Sequence, residues 1–475
     1  MGYLVRAGCA VLAGVMLAAA HRLAPVWPLA WIAPVFLLIA AFKAGPREAL
    51  LLAFVAGALQ ATGAYAYYDL VTGPVVASAL VVLFGLLWVG VIGLTRRFVL
   101  QMPGPLAAFA YPTVWAAMDL AFSLLSPHGS MGSIAYSQMP ALPVIQVAAL
   151  GGTAAIAFLI SLPASALAVT LHRGFARPGV SLGVLAPPLL VCGAGLAFGL
   201  VQLRTPEPTG RLAVGLAVVD RDIDPQALFT GQASPTWPAY RTALDRLAGA
   251  RLLVLPEAAH QPTEARAAQL AASLGREAAT RNAYLLAGIV APEGGKPFNR
   301  AWVFAPDGRR VVDYRKHHPA PGEVGLIIPG DGYSTFDLEG RRIGVAICKD
   351  LDFAALPRRY ARMGVQALVV PASDFRVDGL FHARMAVLRG VEGGFTVIRA
   401  AEHGVLTVSD PQGRILSQTA SRSGPGAILR FDAPIGPARP TVYAAVGDLF
   451  GWTCLVLVVL GRLVLGRRAS PKARS

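Results

Sequence analysis

Three side chains with useful chemistry follow short apolar runs in the second half of the chain. The runs LVLPE, DYRK and VAIC end on Glu257, Lys316 and Cys348. An apolar strand that meets charged residues just after a thiol presents a nucleophile at the edge of a sheet. Together the three residues suit acyl transfer. Cys348 would attack a carbonyl, Glu257 would take the thiol proton and later activate the second substrate, and Lys316 would stabilise the oxyanion.

Each of these residues also has an ordinary explanation when it is taken singly. A lone Cys is more often a buried core residue than a nucleophile, and a Glu or Lys at the end of a strand is usually solvated. Their joint occurrence at the ends of three apolar runs favours an active site, in which the backbone N–H of Lys349 is a natural second oxyanion donor. No Cys and His spacing indicates a zinc site, so we expect neither a metal nor another cofactor.

The composition predicts a membrane protein with a water-soluble domain attached. Of 475 residues, 55% are hydrophobic and only 15% are charged, whereas a soluble protein usually has about 25% charged residues. The shortage of charge lies before residue 205, while residues 205–440 have an ordinary globular composition. The net charge of +15 does not indicate nucleic acid binding, because Lys and Arg are scattered or flank apolar segments.

Apolar stretches long enough to cross a membrane divide the chain into three parts. A spanning helix needs about 20 apolar residues. We predict a bundle of about seven helices in residues 1–204, an α/β domain in 205–445, and one further helix with a basic tail in 446–475. The expected spans are approximately 4–20, 26–42, 48–67, 72–95, 105–125, 143–171, 180–203 and 446–466. The first resembles a signal peptide but is interpreted as an uncleaved helix, because further spans follow it at once.

Basic residues at alternate helix boundaries predict the orientation in the membrane. They are Arg6, Lys43, Arg47, Arg96, Arg97, Arg173 and Arg177, and the C-terminal tail is also basic. Because cytoplasmic loops are rich in Lys and Arg, both termini are expected in the cytoplasm. After seven crossings, the domain at 205–445 would then lie on the extracytoplasmic side.

Polar residues in the predicted bundle have two possible roles. Asp119 lies in an apolar segment, where a carboxylate is costly, so a structural hydrogen bond and a substrate role are both open. The outer loop at 126–143 contains Tyr136 and Gln138. It is either an ordinary connection or a rim that lines a lipid-accessible site.

Strands alternate with helices and hairpins from residue 211 onwards. This pattern predicts an α/β domain whose sheets are covered by helices. Five motifs in it resemble the nitrilase (carbon–nitrogen hydrolase) superfamily, which implies an αββα sandwich with a Glu–Lys–Cys set. The motifs are LPE at 255–257, YRKHHPAPGE at 314–323, ICKD at 347–350, PASD at 371–374 and ARMAVLRGVEGGFTVIRAAEHG at 383–404.

The membrane part resembles one family within that superfamily. PTVWAAMD at 112–119 and IAYSQMPALPVIQVAALGG at 134–152 are similar to segments of the bacterial apolipoprotein N-acyltransferases. This resemblance implies an enzyme of the cytoplasmic (inner) membrane with a periplasmic catalytic domain. A phospholipid acyl chain would pass to Cys348 as a thioester, and then to the α-amine of a lipoprotein's diacylglyceryl-cysteine. It implies Glu257 as general base, Lys316 as oxyanion support, and Glu323 as an auxiliary acid/base or a group that orients Lys316.

The chain departs from this family beside the nucleophile. Lys349 replaces an aromatic residue, Asp350 stands where Glu is usual, and the loop from Lys316 to Glu323 is about one residue shorter than usual. His317 and His318 are interpreted as solvated loop residues. Two alternative functions remain open, a membrane-tethered amidase or nitrilase that uses water as acceptor, and a non-catalytic binding module. The intact Glu, Lys and Cys argue against the second.

Overall fold

The computed structural model describes residues 1–173, 178–208, 210–219, 237–421 and 426–468. The chain divides into two units. One comprises Met1–Arg204 together with Val446–Ser475, and the other is Thr205–Ala445.

The first unit is built from apolar α-helices. They span Tyr3–Ala20, Leu29–Lys43, Pro46–Thr62, Tyr65–Thr72, Pro74–Gln101, Ala110–Leu125, Leu142–Ile145, Ala148–Arg173, Pro178–Gln202 and Leu449–Arg468, with 3-10 helices at Pro105–Phe109 and Ile134–Gln138. Small residues let these helices approach closely. A Cβ added at Gly57, for example, would lie 2.7 Å from the backbone oxygen of Phe84.

Fewer of these helices qualify as membrane spans than the apolar stretches predict. Within the described residues, five segments are long and apolar enough, or six if Pro46–Thr62 and Tyr65–Thr72, bent by 65°, form one span. The expectation of about eight spans is therefore not confirmed. Leu29–Lys43 has only 15 residues and rises about 22 Å, less than the roughly 30 Å of a hydrocarbon core. Leu449–Leu465 is short as well. An apolar stretch in the sequence includes apolar residues outside the helix, so it is longer than the helix itself. This explains why more stretches than helices reach the length of a span.

The second unit contains two six-stranded sheets in its described part. The strands are β1 Arg211–Val218, β2 Leu252–Val254, β3 Tyr284–Glu293, β4 Lys296–Phe304, β5 Arg310–Arg315, β6 Ser334–Leu338, β7 Arg341–Val345, β8 Ala367–Ser373, β9 Thr396–Glu402, β10 Val405–Ser409, β11 Ile415–Ala420 and β12 Ala427–Pro434. Their orders are β12-β1-β2-β3-β4-β5 and β11-β10-β9-β8-β7-β6. In each sheet three neighbouring strands are parallel, namely β1-β2-β3 and β7-β8-β9.

Helices cover the outer face of each sheet. Trp237–Asp245 and Glu264–Arg281 lie over the first sheet, where Tyr240 and Leu274 join a buried cluster with strand residues. Ala355–Arg362 and Gly379–Gly393 cover the second sheet. A further apolar cluster fills the space between the sheets, with side chains from both of them. This arrangement confirms the predicted αββα sandwich.

The sandwich places the ends of several strands near one another. The Glu257 segment follows β2 and crosses β3 at Gly288, whose N–H donates to the Pro256 carbonyl at 3.2 Å. A Cβ at Gly288 would lie 2.3 Å from that oxygen and 2.6 Å from Cα of Glu257. Only glycine therefore lets the Glu257 backbone lie against β3.

Replacement of Gly288 by Ala should destabilise the second unit. The added methyl group overlaps backbone atoms that cannot rotate away, so we expect a loss of about 1–3 kcal/mol in the free energy of unfolding. Denaturant unfolding of the full chain, followed by tryptophan fluorescence, measures it. Gly332→Ala is the matched control, because its Cβ would meet nothing within 4 Å. Equal stability of the two variants would contradict the close approach of the Pro256–Glu257 backbone to Gly288.

Candidate active site

The structure places Glu257, Lys316 and Glu323 in one buried hydrogen-bonded group. The Lys316 ammonium donates to Glu257 Oε1 at 2.7 Å and to Glu323 Oε2 at 2.6 Å, and its side chain is 1% exposed. Asn299, on β4, also joins the two carboxylates. Its Nδ2 lies 2.7 Å from Glu257 Oε1 and 2.6 Å from Glu323 Oε1. Lys316 is thus held by two acids, with an amide fixing both.

Cys348 is connected to this hydrogen-bonded group through the backbone of Ser373. It begins the 3-10 helix Cys348–Asp352 and has a φ of 43°, a left-handed conformation that is rare for a residue with a Cβ. Its thiol donates to the Ser373 carbonyl oxygen at 3.6 Å, and the Ser373 N–H donates to Glu257 Oε2 at 2.9 Å. The end of β8 therefore connects the thiol and the carboxylate. The strained turn aims the thiol out of the sheet.

Burial and neighbouring charges shift the pKa values of all three groups. Burial alone would lower the pKa of Lys316, but Glu257 and Glu323 outweigh it and hold this pKa well above its usual range. Burial raises the pKa of Glu257, an effect that Lys316 partly offsets. Burial, and then the charge of Glu257, raise the pKa of the Cys348 thiol well above 9.0. The resting site therefore has a protonated thiol and a charged lysine, and the thiol needs a base in order to attack.

Asp350 connects the turn that carries Cys348 to the loop that follows Lys316. Its buried Oδ1 accepts from the backbone N–H groups of His317 and His318, both at 3.0 Å. Its Oδ2 accepts from the Tyr314 hydroxyl at 2.7 Å and from the Ile347 N–H at 3.0 Å. Asp350 thus connects the Tyr314 side chain before Lys316, and the backbone after Lys316, to the residue before Cys348. It is a positioning residue.

His317 and His318, interpreted as solvated loop residues, are half-buried and also make contacts through their rings. The His318 ring stacks on Phe353 at a centroid distance of 3.8 Å, and its Nδ1 lies 3.2 Å from Asp350 Oδ1. Nε2 of His317 lies 2.7 Å from the Gly332 carbonyl oxygen. Both rings therefore hold the loop in place, which sequence spacing could not reveal.

A second buried charged cluster lies at the end of β8. Atoms of Asp374, Asp378 and His382 lie within 4.8 Å of one another, a spacing that could suit a metal ion. However, Asp374 already accepts from the Arg399 guanidinium at 3.0 and 2.5 Å. Burial alone would lower the pKa of His382, but Asp378, Asp352 and Asp374 outweigh it and raise this pKa to about 9. The carboxylates, the Arg399 guanidinium and the His382 imidazole therefore form an ion-pair network at the end of β8.

In the helical unit, Asp119 has a structural environment. Its Oδ1 accepts from the Ser133 hydroxyl at 2.6 Å, and its Oδ2 accepts from the Thr153 hydroxyl at 2.7 Å. Of the two roles left open for this carboxylate, the hydrogen bonds favour the structural one.

Tyr136 and Gln138 are buried rather than part of an exposed rim. They are 1% and 0% exposed. The hydroxyl groups of Tyr136 and Ser130 lie 2.6 Å apart. The Gln138 amide accepts from Trp31 Nε1 at 2.8 Å and donates to the Trp27 carbonyl oxygen at 3.2 Å. Because these polar groups are used inside the helical unit, the structure does not support a rim role for them.

Comparison with known proteins finds two matching families. The carbon–nitrogen hydrolase family model matches residues 201–429, and the model of the apolipoprotein N-acyltransferase N-terminal domain matches residues 13–166. An apolipoprotein N-acyltransferase of Geobacter metallireducens is 28% identical over 512 residues, which covers 97% of this chain and 95% of that protein. The omega-amidase NIT2 of Mus musculus is 30% identical over 203 residues, covering 36% of this chain and 74% of the amidase.

Among solved structures, Saccharomyces cerevisiae Nit3, a nitrilase superfamily member, aligns with a TM-score of 0.39 and 22% identity. The alignment covers 48% of this chain and 91% of Nit3.

Asp350→Asn should destabilise the site. An amide puts an NH₂ group in place of one carboxylate oxygen, so at least one buried N–H or O–H donor loses its acceptor. We expect a loss of about 1–3 kcal/mol in the free energy of unfolding. Asp337→Asn is the control, since this exposed side chain accepts a hydrogen bond only from the Gly340 N–H among the bonds described, and it should stay within about 0.5 kcal/mol of wild type. Similar losses of stability in both variants would contradict a role for Asp350 in holding the loop after Lys316 against the Cys348 turn.

The Cys348 thiol should titrate at unusually high pH. Because its pKa is raised well above 9.0, iodoacetamide alkylation of Cys348, followed by peptide mass spectrometry, should still be increasing steeply at about pH 10, where an ordinary thiol with a pKa of about 8.5 is almost fully ionised. Glutathione, whose thiol is solvated, provides the reference. Glu257→Gln removes a negative neighbour, so it should move the Cys348 profile to lower pH. A profile for the wild type with its midpoint near about pH 8.5 would contradict this environment.

Proposed function

The chain belongs to the carbon–nitrogen hydrolase family, and we propose that it is a membrane-bound N-acyltransferase. It moves a phospholipid acyl chain through a Cys348 thioester to the α-amine of the N-terminal diacylglyceryl-cysteine of a lipoprotein. The observation that carries this proposal is the likeness to the Geobacter apolipoprotein N-acyltransferase, which extends over 97% of the chain. The helical unit also matches the N-terminal domain model named for that activity. A soluble amidase requires no such unit.

In the first half of the reaction, Cys348 takes the acyl group. Glu257 accepts the thiol proton, and the sulfur attacks the ester carbonyl carbon. The Lys316 ammonium and the backbone N–H of Lys349 stabilise the negative charge that develops on the carbonyl oxygen. The ester C–O bond then breaks, and Glu257 returns the proton to the departing lysophospholipid oxygen. A thioester and a free hydroxyl group result.

In the second half, the lipoprotein amine replaces the thiol. Glu257 takes a proton from the amine as its nitrogen attacks the thioester carbonyl, the C–S bond breaks, and the proton passes to the Cys348 sulfur. The products are an amide and the original thiol. Glu257 can serve both halves because its two oxygens have different partners. Oε1 is held by Lys316 and Asn299, whereas Oε2 accepts from the N–H of Ser373, the residue whose carbonyl contacts the Cys348 thiol.

Glu323 is proposed to orient Lys316 rather than to exchange protons. Its Oε2 accepts from Lys316 at 2.6 Å and from the Ala320 N–H at 2.7 Å, and its Oε1 accepts from Asn299 at 2.6 Å. These three donors hold the Glu323 carboxylate in one position. It keeps the ammonium in place during both halves.

Exposed apolar side chains near the site support a lipid as the acyl donor. Val324, Leu326 and Ile328 follow Glu323 and are 70%, 51% and 41% exposed, and Phe375 and Val377 follow β8 and are 39% and 47% exposed. Apolar patches on loops beside a reactive site are typical of surfaces that meet lipid or protein. A water-using amidase with small polar substrates has no need of them.

The proposed placement follows from the basic residues at alternate helix boundaries. We place residues 205–445 on the extracytoplasmic side of the bacterial inner membrane, with residues 1–204 and 446–475 providing the spans and both termini in the cytoplasm. Phospholipid and lipoprotein would then meet on the side where lipoproteins leave the membrane.

An acyl-transfer assay tests the proposed function. Purified full-length protein is incubated with acyl-labelled phosphatidylglycerol and should form a hydroxylamine-sensitive thioester on Cys348. A diacylglyceryl peptide with a free amine should then remove the label as an amide. Cys348→Ala should abolish labelling, whereas Cys9→Ala, a matched control in the first helix, should keep it.

Other outcomes identify the alternatives. Label that persists in Cys348→Ala, or its absence from wild type, would contradict the thioester route. Release of the acyl group only to water would favour a membrane-tethered hydrolase. The likeness to omega-amidase NIT2, which covers 36% of this chain, is the observation that keeps a hydrolase as the second candidate.

A further inference from the structure

Lys349, next to Cys348, is largely buried beside the other charged groups of the site. The residue is 8% exposed. Its ammonium lies 6.0 Å from the centroid of the Phe353 ring, which stacks on His318 in the loop that follows Lys316. It also interacts electrostatically with Asp352, Lys316 and Cys348. The site thus contains a second lysine in addition to Lys316.

The two lysines differ in how their charge is compensated. Two carboxylates within 2.7 Å surround Lys316 and outweigh its burial. For Lys349, burial outweighs its neighbours and lowers its pKa, although Asp352 offsets part of this effect. Asp352 is itself buried and also interacts with the His382 and Arg389 cations. An anionic group that entered the site would therefore stabilise the Lys349 ammonium more than that of Lys316.

The proposed acyl donor contains such a group close to its reacting carbon. In a glycerophospholipid, the phosphate and the acyl esters are attached to the same three-carbon glycerol. When Cys348 attacks one of these esters, the phosphate must lie within a few bond lengths of the nucleophile. Lys349 is the next residue, and its Cα lies about 3.8 Å from the Cα of Cys348. Lysine binds phosphate as a compact point charge.

We propose that Lys349 binds the phosphate of the phospholipid while the acyl chain passes to Cys348, and so selects donors that carry a phosphodiester. This inference rests on the proposed acyltransferase function and names a residue that determines its donor. The aromatic residue usual at this position in the resembled family offers no such charge, so the selection would be a property of this chain.

The role of Lys349 should be confined to the first half of the reaction. The lysophospholipid leaves with its phosphate before the amine attacks, so the second half has no phosphodiester for Lys349 to hold. Loss of the charge should raise the KM for phospholipid and leave the transfer from a preformed thioester unchanged. A purely structural role would affect both halves.

Acylation by matched donors tests this proposal. Phosphatidylglycerol and diacylglycerol with identical acyl chains are compared in detergent micelles, together with a neutral acyl p-nitrophenyl ester. The wild type should prefer the phospholipid to diacylglycerol by about tenfold or more in kcat/KM, as expected for one charged contact. Lys349→Met should bring this ratio close to one, because the phospholipid loses more rate than diacylglycerol or the nitrophenyl ester, and Lys349→Arg should retain the preference. Lys296→Met, at the exposed start of β4, is the control.

Several outcomes would overturn the role of Lys349. One is a wild type that acylates equally well with phosphatidylglycerol and diacylglycerol. Another is a Lys349→Met variant that loses the same factor in kcat/KM with every donor. The third is slower transfer to the amine in Lys349→Met from a thioester preformed with the nitrophenyl ester. The first needs no variant, so the test survives a variant that fails to fold. Failure of the proposed function looks different, because the wild type would then form the acyl-enzyme with its donor preference but would not acylate the diacylglyceryl peptide.

Discussion

The buried Lys316 ammonium is the constraint on which the site depends. Removing such an ion from water costs several kcal/mol, which only close counter-charges and hydrogen bonds can offset. Glu257 and Glu323 provide the charges, at 2.7 and 2.6 Å, and Asn299 holds both carboxylates. Because Lys316 needs both acids, the segment after β2, the end of β5 and the loop to Glu323 are fixed relative to one another. Glu257, the proposed base, is therefore held in place before any substrate arrives.

The site also depends on the packing of one sheet against the other. Glu257 and Lys316 follow strands of the first sheet, whereas Cys348 and Ser373 follow strands of the second. Among the described residues, the Ser373 N–H donates across to Glu257 and the Tyr314 hydroxyl donates across to Asp350. Together with these contacts, the apolar layer between the sheets sets the distance between the proposed base and the proposed nucleophile. Substitutions in that layer can change catalysis without touching a reactive residue.

The sequence predicts the strand ends well because apolar runs followed by charge are local patterns. Glu257, Lys316 and Cys348 are all visible in this way, and so is an α/β domain with covered sheets, whereas the αββα sandwich is what the family resemblance implies. Asn299 is not, because it is a polar residue in the middle of β4 with no local signal. The contacts of Asp350 with His317 and His318 depend on loop geometry that spacing does not encode. The expected number of about eight spans is not confirmed for a related reason, since hydropathy cannot tell a helix of 15 residues from a longer one with an apolar connection.

The residues at which the chain departs from the resembled family lie in one network of contacts beside Cys348. Asp350 accepts from the His317 and His318 amides at 3.0 Å and so fixes the loop after Lys316 against the Cys348 turn. His318 in turn stacks on Phe353, whose ring lies 6.0 Å from the Lys349 ammonium. A substitution at Asp350 or in this loop can therefore alter the position of the Lys349 charge as well.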